Sequence, residues 1–272
     1  MAGVFGVGVV TKLQEVDAYD KFSHVYGASA GAFDIAYFLD RQTRKGSSIY
    51  WEDLIKDFID FSKLHKAILN IILGKKYFPN VVNIDHLIRV SQTTKELDVE
   101  EIKRSPIEAR VKVYNLGMKK IEYLDLKEDT FQRLKESSSV APYFYLEGQE
   151  NIDGGILEPL EYDLMRKNHP GQKIVFVINY NLKRGIIKRM QNSLEGMLVS
   201  RMFDNSELGK MFSEKATKLE IEAEKIRTDK SALLITPPDN NPTTNTTTDP
   251  NKLKHTYHLG ILECKKILEF IE

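Results

Sequence analysis

The stretch that most constrains the fold of this chain is residues 22–39, FSHVYGASAGAFDIAYFL. Its first six residues are rich in β-branched and aromatic side chains and predict a short strand, whereas the apolar spacing from Ala30 onwards predicts a helix. A strand that passes through a tight turn into a helix is the building unit of α/β folds, and such an elbow pushes the serine side chain outwards. The segment therefore predicts an α/β protein with Ser29 exposed at the end of a strand.

Further strands are predicted along the chain. Residues 109–116 and 119–126 alternate apolar and polar side chains on either side of Gly117-Met118, which predicts a β-hairpin. Residues 173–180, KIVFVINY, form the clearest buried strand, and 231–238 predict a last one.

Helices are predicted between these strands, and their alternation supports the α/β class. The predicted helices are 51–73, 129–139 (with Asp129 as N-cap) and 252–271. The pattern from about 186 to 228 is also helical, with a charge-rich helix at 206–228. One apolar stripe runs along this region, formed by Leu208, Phe212, Leu219, Ala223 and Ile226. Residues 4–16 fit either a strand or a helix, because Gly6 and Gly8 weaken a helix on propensity.

Composition excludes some functions and compartments. Lysine plus arginine equals aspartate plus glutamate, 39 of each, so nothing global favours nucleic acid or an anionic membrane, although a local basic patch is compatible with this balance. The single cysteine, Cys264, cannot form an intramolecular disulfide, and we expect a buried, inert thiol in a reducing compartment. No signal peptide is evident and no apolar run approaches ~18 residues, so we expect a cytoplasmic protein.

A serine in such an elbow can act as a nucleophile if a base and oxyanion donors lie nearby. The downstream histidines are His65, His86, His169, His255 and His258. Only His169 falls in a loop that fits the end of a strand, and an α/β-hydrolase elbow usually follows several strands rather than one. A second signal is Asp153-Gly154-Gly155, where glycines beside an acid allow close approach of two backbones.

Together these motifs resemble the patatin-like phospholipases. The resemblance rests on GASAG at 27–31 after a short strand and on Asp153-Gly154-Gly155 about 120 residues later. Residues 3–16 are similar to the helix after that family's glycine-rich loop, 136–145 to its serine-rich segment, and 257–268 to its closing helix. The resemblance covers nearly the whole chain.

The resemblance implies a three-layer α/β/α fold with a mainly parallel central sheet and a helical C-terminal part. Residues 1–180 would form the catalytic core, and 181–272 a helical continuation of the same domain.

The resemblance also implies a chemistry, namely hydrolysis of ester bonds in phospholipids or related acyl lipids through an acyl-enzyme. Ser29 would be the nucleophile and Asp153 the base of a catalytic dyad, with no metal or organic cofactor. The motif glycines would be Gly27, Gly31, Gly154 and Gly155, and the amide of Ala30 an oxyanion donor. A peripheral membrane contact is a further expectation, and the oligomeric state is open.

The start of the chain departs from the family pattern. The family's oxyanion loop has the form Gly-Gly-Gly-x-Arg-Gly, and aligning Gly3 with its last glycine puts Ala2 at the basic position and the three glycines before Met1. An oxyanion donor contributes roughly 3–4 kcal/mol, so the loop matters. Either the natural protein is longer, or this is a diverged member without efficient catalysis. A missing strand would leave an unpaired apolar slot, which favours the first explanation.

Two other functions stay open at this point. One is a catalytically silent patatin-fold protein that binds lipid or a protein partner, and the other is a histidine-dependent esterase, which requires a histidine near Ser29.

Residues 68–82, ILNIILGKKYFPNVV, also have two interpretations. They fit an ordinary core helix, or a segment that lines an acyl-chain cleft or touches a membrane with Lys75-Lys76 at the headgroups.

Overall fold

The computed structural model describes residues 1–73, 79–155, 157–158, 160–182 and 186–272, which form a mixture of helices and short strands. The helices are α1 (Val4–Glu15), α2 (Ala30–Leu39), α3 (Thr43–Glu52), α4 (Phe61–Ile72), α5 (Ile84–Gln92), α6 (Val99–Arg104), α7 (Thr130–Ser137), α8 (Tyr162–Asn168), α9 (Ile186–Phe203), α10 (Ser206–Thr228) and α11 (Pro250–Ile271). The strands are β1 (His24–Gly27), β2 (Glu108–Asn115), β3 (Lys120–Asp125), β4 (Asn151–Asp153), β5 (Ile174–Val177) and β6 (Ala232–Ile235).

The strands pair in two groups. In the first, β1 runs parallel to β2, while β3 and β4 run antiparallel to it. In the second, β5 and β6 are parallel. The parallel pairs and the hairpin of β2 and β3 confirm the corresponding predictions, and the α/β class is confirmed with them.

Alternate side chains of the strands enter two different cores, so helices cover both faces. Val25 and Val175 pack into the core that α1, α2 and α11 share, whereas Tyr26 and Phe176 pack into a second core with Leu219 of α10. Helices on both faces of the strands give the α/β/α layering.

The chain beyond residue 180 contributes to both of these cores. Helix α11 packs along α1, and β6 pairs with β5. The C-terminal part is mainly helical, as predicted. The stripe on α10 is confirmed, since Leu208, Phe212, Leu219, Ala223 and Ile226 are all buried. Cys264 is buried in α11, and burial raises the pKa of its thiol to about 12, in agreement with an inert role.

The segment 4–16, which fitted a strand or a helix, is the helix α1. Packing overrides the low propensity of its glycines. A Cβ added at Gly8 would overlap the carbonyl oxygen of Tyr257 in α11, so glycine allows these two helices to lie close together.

One long predicted helix is interrupted. The prediction of one helix over 51–73 is wrong, because α3 ends at Glu52 and α4 begins at Phe61. Asp57 adopts φ 59°, outside the helical region, and Ile59 forms a bridge with Val82. The carboxylate of Asp60 then accepts the amide of Ser62 at 3.0 Å and starts α4.

The helical pattern from about 186 to 228 is formed by two helices, α9 and α10, and the second confirms the predicted helix 206–228. Asp204 adopts φ 49°, and the side chain of Asn205 accepts the amide of Leu208 at 3.0 Å as the N-cap of α10. The helices pack against each other, with Glu195 of α9 paired to Lys215 of α10 at 2.8 Å.

Candidate active site

Ser29 lies in the turn between β1 and α2, as the sequence predicts. Its backbone has φ 54° and ψ −125°, which is a strained conformation for a non-glycine residue, and its side chain is partly exposed. Such strain costs about 1–3 kcal/mol and persists only where the surroundings hold it. Here the amide of Ser29 donates to Ser137 at both its carbonyl oxygen (3.0 Å) and its Oγ (3.1 Å).

The two motif glycines of the elbow differ in what they do. A Cβ at Gly27 would lie 2.5 Å from the carbonyl oxygen of Gly31, so the tight turn requires glycine there. At Gly31, no described atom lies within 4 Å of an added Cβ. Sterics therefore require glycine at position 27 but not at position 31.

The acid motif, Asp153-Gly154-Gly155, lies close to the elbow because strands β1 and β4 pair with the same edge of β2. Val111 pairs with Leu124 of β3 on one side and Gly27 of β1 on the other. Val113 also pairs with β3 on the first of these sides. On the other side, where Gly27 pairs with Val111, Val113 pairs with Asp153 of β4. Strands β1 and β4 therefore run towards each other along the same edge, and their ends lie two residues of β2 apart, about 7 Å.

Contacts in the acid loop confirm this approach. A Cβ added at Gly155 would overlap the Cβ of Ala28, the residue before Ser29. Asp153 is buried, with 3% of the residue exposed, and Oδ1 of its carboxylate accepts a hydrogen bond from the amide of Gly155 at 2.8 Å. The acid loop thus touches the elbow, and glycine at 155 is what permits the contact.

The serine-rich segment at the C-terminal end of α7 holds both motifs in place. Ser137 accepts the amide of Ser29, and its own hydroxyl donates to the carbonyl oxygen of Lys112 at 2.9 Å. The carbonyl oxygen of Ser139 accepts the amide of Asp153 at 3.0 Å. Sequence reasoning matched this segment to a family pattern but did not predict that it fastens the two motifs together.

A buried ion pair lies beneath the acid loop, and sequence reasoning missed it. Lys112 of β2 pairs with the carboxylate of Glu161 and donates to the carbonyl oxygen of Glu158. Burial lowers the pKa of Lys112, and Glu161 opposes that shift. The hydroxyl of Tyr123 donates to the same carboxylate. The available signal was a lysine in the middle of the strand pattern ARVKVYNL.

The acid loop packs on the stem of this lysine. A Cβ added at Gly154 would lie 2.9 Å from Cγ of Lys112 and 2.8 Å from the carbonyl carbon of Val113. Lys112 therefore supports the loop both by contact and by its bonds to the residues that follow it.

The N-termini of helices α1 and α2 lie next to each other beside Ser29. Ala30 is the first residue of α2, where the helix leaves backbone amides without internal acceptors. Gly3, the N-cap of α1, is so close that an added Cβ would overlap that of Ala30. Partial positive charge from both helices is therefore concentrated next to Ser29.

The histidine alternative finds no support in the described side chains. His169 contacts the hydroxyl of Tyr26 at 2.9 Å and the ring of His24 at 4.5 Å between centroids, near the start of β1 rather than at Ser29. Burial lowers the pKa of His169. His86 lies 3.2 Å from the carbonyl oxygen of Asp53. The remaining two described histidines, His255 and His258, lie on α11, and the side chain of His65 lies outside the described residues.

Two further observations concern metals and membranes. Within the described ranges, no group of three or more His, Cys, Asp or Glu side chains could hold a metal ion. No described helix has the length and apolar character needed to cross a bilayer.

The model of one protein family, described as patatin-like phospholipase, matches residues 1–165. The match covers more than half of the chain and contains the elbow, the serine-rich segment and the acid loop. The chain therefore belongs to the patatin-like phospholipase family, as its motifs predict.

A solved structure is also similar, that of VipD from Legionella pneumophila. It is 16% identical in sequence, with a TM-score of 0.47, over 98% of this chain and 65% of that one. The chain thus spans just under two thirds of the length of that structure, and the likeness is too distant to assign an activity. No curated protein matches the sequence.

Proposed function

We propose that this protein is a lipid acyl hydrolase that uses Ser29 as nucleophile and Asp153 as general base. The observation that carries the proposal is the meeting of β1 and β4 on one edge of β2, with Gly155 against Ala28. This arrangement supports the pairing of a partly exposed serine in a strained elbow with a buried carboxylate. Family membership supports an ester of an acyl lipid as the substrate class.

The chemistry balances with these two side chains and water. Asp153 takes the proton of the Ser29 hydroxyl as Oγ bonds to the acyl carbonyl carbon. The ester C–O bond then breaks, and the leaving alcohol receives that proton. In the second half, Asp153 deprotonates a water molecule whose oxygen attacks the acyl-enzyme. The bond to Oγ breaks, the proton returns to Ser29, and the fatty acid leaves.

The negative charge on the carbonyl oxygen needs donors in both halves. The amide of Ala30 and the positive end of α2 are directed to the region of Ser29, and the N-terminus of α1 adds to the local field. These donors supply a partial oxyanion hole from backbone that the elbow already fixes.

The burial of Asp153 suits a base in this reaction. At 3% exposure its carboxylate has little competing water, and the amide of Gly155 fixes the orientation of one oxygen. A general base must lie within hydrogen-bond reach of the proton it removes, directly or through one water.

The proposal is tested by hydrolysis of a soluble short-chain ester and of micellar phosphatidylcholine. We expect turnover by the wild type and a loss of about 10³-fold or more in kcat for Ser29→Ala, since the covalent step is removed. Ser23→Ala is the matched control, because Ser23 is exposed and lies just before β1.

Equal rates for the wild type and Ser29→Ala would contradict the proposal. Absence of turnover by a folded wild type would also contradict it, and would favour a silent patatin-fold protein that binds lipid.

A further inference from the structure

Two helices, α4 and α9, direct large apolar side chains into solvent. We name their exposed side chains the α4–α9 surface: Phe61, Lys66, Leu69 and Leu73 on and after α4, and Met190, Leu194, Met197 and Arg201 on α9. We propose that this surface docks the protein on an anionic phospholipid bilayer. The inference rests on the proposed function for its purpose, which is access to acyl lipids, but binding itself needs no turnover.

The stripe on α9 is continuous. Met190, Leu194 and Met197 are 68%, 51% and 50% exposed, and their spacing puts them on one side of the helix. Arg201 follows four residues after Met197 on the same side and is also exposed. The opposite side of α9 is buried, with Val199 at 0% exposure. The helix therefore has one face in the core and one apolar face in solvent.

The stripe on α4 has the same character. Phe61, Leu69 and Leu73 are 47%, 54% and 57% exposed, and Lys66 lies between them on the outer side. The interpretation of 68–82 as an ordinary core helix is wrong for Leu69 and Leu73, which are exposed. Lys75-Lys76 lie outside the described residues.

The charge of the segments that carry this surface favours an anionic bilayer as the partner. The segments 61–76 and 182–203 together contain nine lysines and arginines and one acidic residue, in a chain whose formal net charge is +0. That one acid, Glu195, is buried and paired with Lys215. The two segments therefore carry an excess of positive charge in the sequence, and Lys66 and Arg201 place two of these cations on the α4–α9 surface. Apolar side chains among cations match the interface of an anionic bilayer.

The start of α4 is linked to α9 through Val81. The amide of Asp60, just before α4, donates to the carbonyl oxygen of Val81 at 2.8 Å. Val81 in turn packs against Leu198 of α9 in a small buried cluster. The residue before α4 and the buried side of α9 therefore both contact Val81.

The surface also lies near the proposed dyad. The amide of Val81 donates to the carbonyl oxygen of Tyr143 at 2.7 Å, and the hydroxyl of Tyr143 donates to Glu195 of α9 at 3.0 Å. Ser139, which binds Asp153, precedes Tyr143 by four residues, a span of at most about 14 Å. A bilayer on this surface would therefore lie close to the site that needs its lipids.

The test measures co-sedimentation with vesicles of phosphatidylcholine, with or without one third phosphatidylserine, in the Ser29→Ala background so that no lipid is consumed. We expect binding to the vesicles that contain phosphatidylserine. The triple change Met190→Ser, Leu194→Ser and Met197→Ser should weaken it by roughly a hundredfold, because three interfacial side chains are lost. Lys66→Gln with Arg201→Gln should weaken it by about tenfold, and more at low salt.

The matched control is Ile221→Ser with Leu262→Ser. These residues are 55% and 69% exposed but lie on α10 and α11, away from the α4–α9 surface. All variants change exposed side chains, so thermal unfolding should be unaffected and loss of binding cannot be a folding defect.

Three outcomes would overturn the inference. The first is absence of binding to phosphatidylserine vesicles by the folded protein, and the second is equal loss of binding by the control. The third is a dimer in solution that the α9 triple variant dissociates, which would make the surface an interface between copies of the chain.

Failure of the proposed function gives a different result. In that case the wild type would not hydrolyse the soluble ester, whereas vesicle binding and its dependence on the α4–α9 surface would persist.

Discussion

Asp34 and Asp153 are both buried carboxylates close to the elbow, at 5% and 3% exposure, but their surroundings differ. Asp34 lies on α2 against Gly6 of α1, and burial raises its pKa well above the usual range. No hydrogen bond to its carboxylate occurs among the described residues. The carboxylate of Asp153 accepts a hydrogen bond from the amide of Gly155, and the charged group of Lys112 is near enough to interact with it electrostatically. Of the two buried carboxylates, only Asp153 is therefore both oriented by a backbone amide and close to a cation, as the proposed base requires.

The first prediction, and the largest effect, concerns neutralising each of the two acids in turn. We expect Asp153→Asn to lower kcat/KM for the soluble ester by about 10²–10⁴-fold, the usual contribution of a general base, and Asp34→Asn to leave it within about twofold. A similar loss in both variants would show that Asp153 has no special role.

The second prediction concerns the support of the acid loop. Lys112→Met leaves the carboxylate of Glu161 buried without its cation, so we expect a loss of about 3–5 kcal/mol in the free energy of unfolding. Chemical denaturation measures it. The double variant Lys112→Met with Glu161→Gln should recover part of the loss, because it removes the uncompensated charge. A loss below about 1 kcal/mol in the single variant would contradict this role for the pair.

The third and smallest effect concerns Asp34. Its pKa is raised above the model-peptide value of 3.8, so folding favours the protonated form. Its contribution to stability is therefore fully present below about pH 4 and is lost as pH rises through the folded pKa. We expect Asp34→Asn to stabilise the protein at pH 7 and to do so less at pH 4. Thermal unfolding at the two pH values checks this, and a gain independent of pH would contradict it.

Local patterns predicted much of the fold, because they reflect side-chain periodicity. The elbow at Ser29, the hairpin after Glu108 and the stripe of α10 all depend on residues close in sequence. The helix over 51–73 was wrong because a left-handed Asp57 and the bridge of Ile59 to Val82 are decided by backbone strain and a distant segment.

The candidate site was only partly predictable for the same reason. The residues Ser29 and Asp153 follow from the motifs and the family resemblance, and their convergence depends on both flanking strands sharing one edge of β2. No local signal specifies that edge. The contacts of Ser137, Ser139 and Lys112 join residues that are at least 14 positions apart in the chain, and periodicity does not encode them.

The most direct test of the central claim is labelling with a fluorophosphonate probe, which reacts with an activated serine. The account predicts that the wild type and Asp34→Asn are labelled at Ser29, as shown by peptide mass. Ser29→Ala should stay unlabelled, and Asp153→Asn should react at least about a hundredfold more slowly. A folded wild type that stays unlabelled, or Ser29→Ala labelled as fast as the wild type, would contradict the account.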